Sequence, residues 1–175
     1  MVAVWLFRER LNALLPLLRM KYKDFDVSFR LEQAEKEAAQ IPPPPSPDLE
    51  PTPEEKSRFE MVAEQSPRAT ILEKRIELEQ VIRTAAGPYL GLTGPSRTLT
   101  AAICVLRNHK IIDDRTSALL DDLRVIGNRA AHPQVSHEEF TKEEAMRFGK
   151  LADSTIQLIH LLVQRDGERT HLGVA

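Results

Sequence analysis

Apolar residues in the second two thirds of the chain recur every three or four positions, the period of helices that bury one face. The stretch TPEEKSRFEMVAEQ starts the first of these, with Thr52 placed to cap it and Pro53 at the first helical position, where a missing N–H costs nothing. Ser66 and Pro67 repeat that opening for a second helix. Its stripe is Ile71, Leu72, Leu78, Val81, Ile82 and Ala85, and Gly87 with Pro88 stops it. After a loop at GPYLGLTGP, Ser96 is the expected cap of a third helix that turns Leu99, Ile103 and Leu106 inward. Asp113 or Asp114 caps a fourth, which carries Leu119, Leu120, Leu123 and Ile126 and has its acids at the positive end of the helix dipole. The last opens on a capping box, Thr141 to Glu144, and repeats Ala145, Phe148, Ala152, Ile156, Ile159 and Val163. Its second apolar face, Leu151, Leu158, Leu161 and Leu162, places it at the centre. Helices of this length with short connections predict an all-α fold, an antiparallel bundle over residues 54–165, with a flexible tail at 166–175.

The first forty residues read differently. VWLFRERLNALLPLLRMK has helical spacing that Pro16 kinks or ends. In DFDVSFRL, Phe25, Val27, Phe29 and Leu31 alternate with polar neighbours, which predicts a short strand over 25–31, paired within the chain or with its copy in another subunit. EQAEKEAA returns to helix formers. The proline-rich stretch IPPPPSPDLEPTP, residues 41–53, reads as an extended spacer of polyproline type. The organisation expected is a helix-and-strand appendage at 1–40, a linker at 41–53 and the bundle.

Composition narrows the function classes. Apolar residues at 42%, charged residues at 29% and a formal net charge of −2 describe a globular protein with no global pull toward nucleic-acid phosphate. The single cysteine, Cys104, sits in the apolar run AAICVL and is expected as a buried thiol in a reducing, cytoplasmic setting. The N-terminal MVAVWLF is too short to span a membrane. Arg8, Arg10, Arg19, Lys21 and Lys23 follow it closely. Either they form a solvated helix face, or the apolar start is the end of a longer membrane segment with a basic cluster on its cytoplasmic side.

Common site signatures are missing. GPYLGLTGPS lacks the Lys-Ser/Thr ending of a phosphate loop, no Gly-x-Ser-x-Gly elbow occurs, and Cys104 and His109 are not spaced as nucleophile and base. No two of His109, His132, His137, His160 and His171 stand four apart on a helix, so neither a metal nor a cofactor is expected.

One polar feature stands out in the otherwise apolar pattern of LRVIGNRAAHP, residues 123–133. Arg124, Asn128 and His132 stand at i, i+4 and i+8, a single ridge on a continuous helix. Together with the order of elements over roughly 66–163, this stretch resembles the HEPN superfamily. It is most similar to a bacterial branch whose signature is Leu-Arg-x-x-Gly-Asn-x-x-x-His. The resemblance implies an HEPN-like helical bundle that dimerises, found alone or fused to restriction-type or signalling domains. Active HEPN members are metal-independent ribonucleases of toxin and phage-defence systems, carrying an Arg, a polar residue, three variable residues and a His. On that pattern His132 would be the base, Asn128 would orient substrate, and Arg124 or Arg129 would stabilise charge, because the family's Arg position is here Gly127.

The chemistry gives those residue types a reason. Cleaving RNA without a metal needs a base that titrates near neutrality, which His provides, and a cation for the developing phosphorane charge, which Arg provides in bidentate form. A purely structural reading stands beside it. Gly127 would take a left-handed conformation that ends or bends the helix, Asn128 would satisfy freed backbone groups, and His132 would be a hydrogen-bonded core or interface residue. With no arginine at position 127, the expectation is a non-catalytic interaction or sensing domain, a homodimer with a protein partner. The alternative is a metal-independent endoribonuclease acting on RNA through His132.

Overall fold

The structure, a computed structural model, describes residues 27–41, 52–90, 98–132 and 139–171. Among them every regular element is helical: α1 over residues 27–39, α2 Pro53–Gln65, α3 Pro67–Ala86, α4 Leu99–Asn108, α5 Asp114–Ala131 and α6 Lys142–His171. A short 3-10 turn, Gly87–Tyr89, follows α3. The first 26 residues, with the kinked apolar helix and the basic cluster expected there, lie outside the described residues, as does the proline-rich stretch from 42 to 51.

Side-chain caps set the starts of five helices. Thr52 and Glu55 form a reciprocal capping box on α2, the Thr52 hydroxyl accepting from the Glu55 N–H and the Glu55 carboxylate from the Thr52 N–H at 2.8 Å. Thr141 and Glu144 repeat that box before α6. Ser66 caps α3 and Asp113 caps α5, accepting from the N–H groups of Ala69 and Thr116. For α4 the cap is Thr98, which accepts from the Ala101 N–H. Ser96 lies outside the described residues.

α3 packs against α2, α4, α5 and α6, most extensively against α6, so the hub of the bundle is α3 and not the last helix. Ile71, Leu78, Ile82 and Ala85 from α3 meet Phe148, Ala152 and Ile159 from α6 and Leu119, Leu120, Leu123 and Ile126 from α5 in one core. The second apolar face of α6 is buried at Leu151 but stays partly exposed at Leu158, Leu161 and Leu162. α2 approaches α6 closely at Gly149, where a Cβ would lie 2.3 Å from the Phe59 ring. Over that ring stands the Lys74 ammonium, 5.6 Å from its centre and bonded to Asp153 at 2.6 Å.

Four expectations need correction. Residues 27–31 are helix, not strand: Val27, Leu31 and Ala34 lie at i, i+4 and i+7, on one helical face, and all three are buried. Phe29, which the alternating pattern also pointed inward, is exposed. The described part of the 1–40 segment therefore belongs to the bundle's core and is no separate appendage. α5 and α6 touch each other only sparsely, and α1 bonds to both. Arg30 donates to Asp122 on α5 at 2.6 Å. Glu35 receives a two-point bond from Arg147 on α6, both contacts at 2.7 Å, and Ser28 donates to Glu144. Cys104 is exposed, because the run AAICVL wraps around α4 and only Ala102, Ile103 and Leu106 reach the core. The stretch read as a tail is helical as far as His171, where α6 ends.

No described helix is long and apolar enough to cross a membrane.

Candidate functional site

α3 and α5 run antiparallel, so the first turns of α3 lie beside the last turns of α5, where the Arg124, Asn128 and His132 ridge was expected. Arg68, near the start of α3, donates from Nε to the Ala130 carbonyl at 2.7 Å, satisfying an acceptor that the end of α5 leaves without a helical partner. Two turns further on, Arg75 reaches across to Asn128 and donates from Nη2 to its side-chain carbonyl at 3.0 Å. The Arg75 stem crosses α5 directly over Gly127, where a Cβ would come within 2.5 Å of Arg75 Cδ and 2.8 Å of Cγ. Glu79, one turn along α3, holds the same guanidinium at 3.6 Å and that of Arg83 at 2.6 Å. Arg75 Nε is buried and makes no hydrogen bond among the described residues.

Gly127 does not break the helix. α5 runs through it to Ala131 and its φ is not left-handed, so glycine is there for space and not for backbone freedom. The helix ends at His132, whose N–H donates to the Asn128 carbonyl at 3.0 Å and whose φ of −120° and ψ of 71° leave the helical region one residue before Pro133. The His132 side chain is exposed and not a core residue. Arg124 turns back along its own helix and bonds Asp121 at 2.8 Å. Arg129 is half-buried in the last turn of α5.

Of the residues expected to form one ridge, Asn128 is thus bonded to α3, Arg124 is paired within α5, and His132 caps the helix end facing solvent. The sequence singled out neither Arg68 nor Arg75. Both belong to PRATILEKRIELEQ, where alternating charges look like an ordinary solvated face, and only the packing of α3 on α5 brings them to the signature. A guanidinium does stand beside Asn128, but it arrives from another helix and not from position 127.

A model of the family described as "Domain of unknown function (DUF4145)" matches residues 57–170. The chain belongs to that family. The DUF4145 match spans most of α2, all of α3, α4 and α5, and nearly all of α6, and so includes the whole α3–α5 joint. It leaves out α1, although α1 supplies Val27, Leu31 and Ala34 to the core of this DUF4145 domain. No curated protein and no solved structure matches the chain.

The opposite end of the DUF4145 bundle holds a second polar group. The Tyr89 hydroxyl, just after α3, donates to Asp166 on α6, and its ring lies 4.8 Å from that of His109 at a 38° tilt. The bond to Asp166 pushes the Tyr89 phenol up to about 12, with burial and the carboxylate charge adding to it. Among the described residues no group of three or more His, Cys, Asp or Glu side chains is placed to hold a metal ion.

Proposed function

We propose that this DUF4145 domain is an HEPN-like interaction or sensing domain of a bacterial protein, non-catalytic, homodimeric and working in defence. The observation that carries the reading is the bond from Arg75 to Asn128 over Gly127. It ties the polar residue of the signature to helix-to-helix fastening, and the absent side chain at 127 makes room for the fastening residue. Arg68 on the Ala130 carbonyl extends the same joint. Read this way, the signature records how α5 is held against α3, and a protein partner or second copy is met by the surface outside that joint.

One observation favours a second reading, a metal-independent endoribonuclease. Arg75 supplies a guanidinium at Asn128, and His132, whose N–H bonds the Asn128 carbonyl, is exposed and has room to act as a base toward a 2′-hydroxyl. Incubation of mixed RNA with the purified protein in chelator separates the two. The interaction reading expects no cleavage that depends on His132. Cleavage that disappears in both His132→Ala and Arg75→Ala would replace it with the nuclease, Arg75 then taking the role the sequence gave to Arg124 or Arg129.

A further inference from the structure

On α3 one carboxylate stands between two guanidinium groups, with Arg75 four residues before Glu79 and Arg83 four residues after it. Glu79 Oε1 takes both bonds from Arg83, 2.6 Å from Nη2 and 3.0 Å from Nε, while Oε2 stands 3.6 Å from Arg75 Nη2, too far to bond. Helix geometry explains that choice, because a glutamate pairs better with a base four residues after it than with one four residues before. Arg75 is left short. Its Nε is buried with no hydrogen-bond partner among the described residues, a penalty that an acceptor closing on it would remove.

We propose that Arg83 receives a phosphate dianion from solvent and that Glu79 carries its binding to the α3–α5 joint. Arg83 is the outermost of the three, its side chain 40% exposed against 23% for Arg75 and 22% for Glu79. A ligand arriving there competes with a carboxylate already tethered beside the guanidinium, so it must bring more charge than a carboxylate. Inorganic phosphate and phosphate monoesters do so, at about −2 above pH 7, and their oxygens fit the same planar fork.

Glu79, released from Arg83, closes on the Nε–Nη2 edge of Arg75 and supplies the missing acceptor. Arg75 is then held more firmly where it donates to the Asn128 side chain. Asn128 in turn accepts the His132 N–H through its main-chain carbonyl, so phosphate on α3 tightens the exposed end of α5. The ligand shifts the equilibrium because it binds only the arrangement in which Glu79 has left Arg83. The inference rests on the sensing reading above and gives it a ligand class.

Nitrogen-15 NMR of the full chain reads this switch at the Arg75 Nε–Hε signal, assigned by its loss in Arg75→Lys. In the wild type, sodium phosphate at constant ionic strength is expected to move that signal downfield to saturation and to slow solvent exchange of the His132 N–H. Sodium chloride should move neither. Arg83→Gln, which frees Glu79 by itself, should show the shifted signal without phosphate and no further response. Glu79→Gln should hold the unshifted signal throughout. The absence of a saturable shift in the wild type overturns the proposal, and that titration needs no variant to fold. A phosphate response that persists in Arg83→Gln places the anion on Arg75 and overturns it too, as does an equal response to the monoanion dimethyl phosphate. A nucleoside monophosphate acting at lower concentration than inorganic phosphate supports the proposal with a monoester as the source; the reverse order supports it with free phosphate. RNA cleavage that depends on His132 sinks the sensing reading whatever phosphate does, whereas a missing phosphate response removes this inference alone.

Discussion

The side chain of Arg75 occupies the space that position 127 would otherwise fill: a Cβ on Gly127 would sit 2.5 Å from Arg75 Cδ. The same arginine ends on Asn128. The two signature residues Gly127 and Asn128 therefore answer to one partner on another helix.

That relationship makes the effect of a substitution at 127 depend on residue 75. Gly127→Ala gains about 1 kcal/mol of helix propensity, but pushes Arg75 off Asn128 and overpacks the joint at a cost of about 1–3 kcal/mol. The expected net effect is destabilisation of roughly 1 kcal/mol by urea unfolding. In an Arg75→Ala background the Cδ and Cγ contacts are gone and only the Cβ of residue 75 remains, 3.2 Å from the added Cβ, so the same Gly127→Ala change should cost about 1 kcal/mol less than in the wild type. Equal effects in both backgrounds would show that Arg75 does not set the need for glycine.

Lys110 follows α4 with a φ of 59°, the left-handed region that side chains avoid. It closes the helix as glycine usually does: the Ile111 N–H bonds the Leu106 carbonyl at 3.0 Å, and both of those side chains are buried. Lys110→Gly removes a conformational cost of about 1–2 kcal/mol and adds up to about 1 kcal/mol of chain entropy to the unfolded state. A net gain of about 0.5–1 kcal/mol is expected, a melting temperature higher by about 2–4 °C per kcal/mol. Lys110→Ala, which keeps the Cβ, should give no such rise.

The acids of the two ion pairs that hold α1 respond to pH in opposite directions. Hydrogen bonding from Arg147 holds Glu35 below its usual range, so its contribution is present above the unfolded-state value and is lost as pH falls through the lower folded one. Burial raises Asp122 despite the pull of Arg30, so its contribution has the other sign, present in acid and lost as pH rises through the raised value. Urea unfolding from pH 3 to pH 7 should show the penalty of Glu35→Gln shrinking in acid. The penalty of Asp122→Asn should grow there relative to neutral pH. Parallel pH profiles for the two variants would contradict this assignment.

Tyr89 should titrate late. With Tyr22 replaced by Phe, the ultraviolet ionisation of the remaining phenol is expected at about 12. Asp166→Asn removes the acceptor charge and should bring the midpoint down toward about 10, the ordinary tyrosine value. An unchanged midpoint would remove Asp166 as the cause.

The sequence carried the local signals well because they are local. Thr52 with Pro53, Ser66 with Pro67, Asp113, and Thr141 with Glu144 mark helix starts through bonds that span three residues. The apolar stripes of α3, α5 and α6 follow from a fixed helical period. Residues 25–31 misled because Val27 and Leu31 satisfy both a two-residue and a four-residue spacing. A run of seven residues cannot choose between them until a groove is there to receive one face. The same limit applied to Cys104, whose apolar neighbours suggested burial while the turn of α4 points it outward.

By itself, then, the sequence determined an all-helical bundle, most of its caps, and LRVIGNRAAHP as the stretch where polar residues interrupt a core helix. Only the tertiary structure decided what those residues do. Arg75 lies 53 positions from Asn128 and Arg68 lies 62 from Ala130. No periodicity along one helix encodes which arginine of another will cross it. That follows from the angle and depth at which α3 packs on α5, set by the whole buried core.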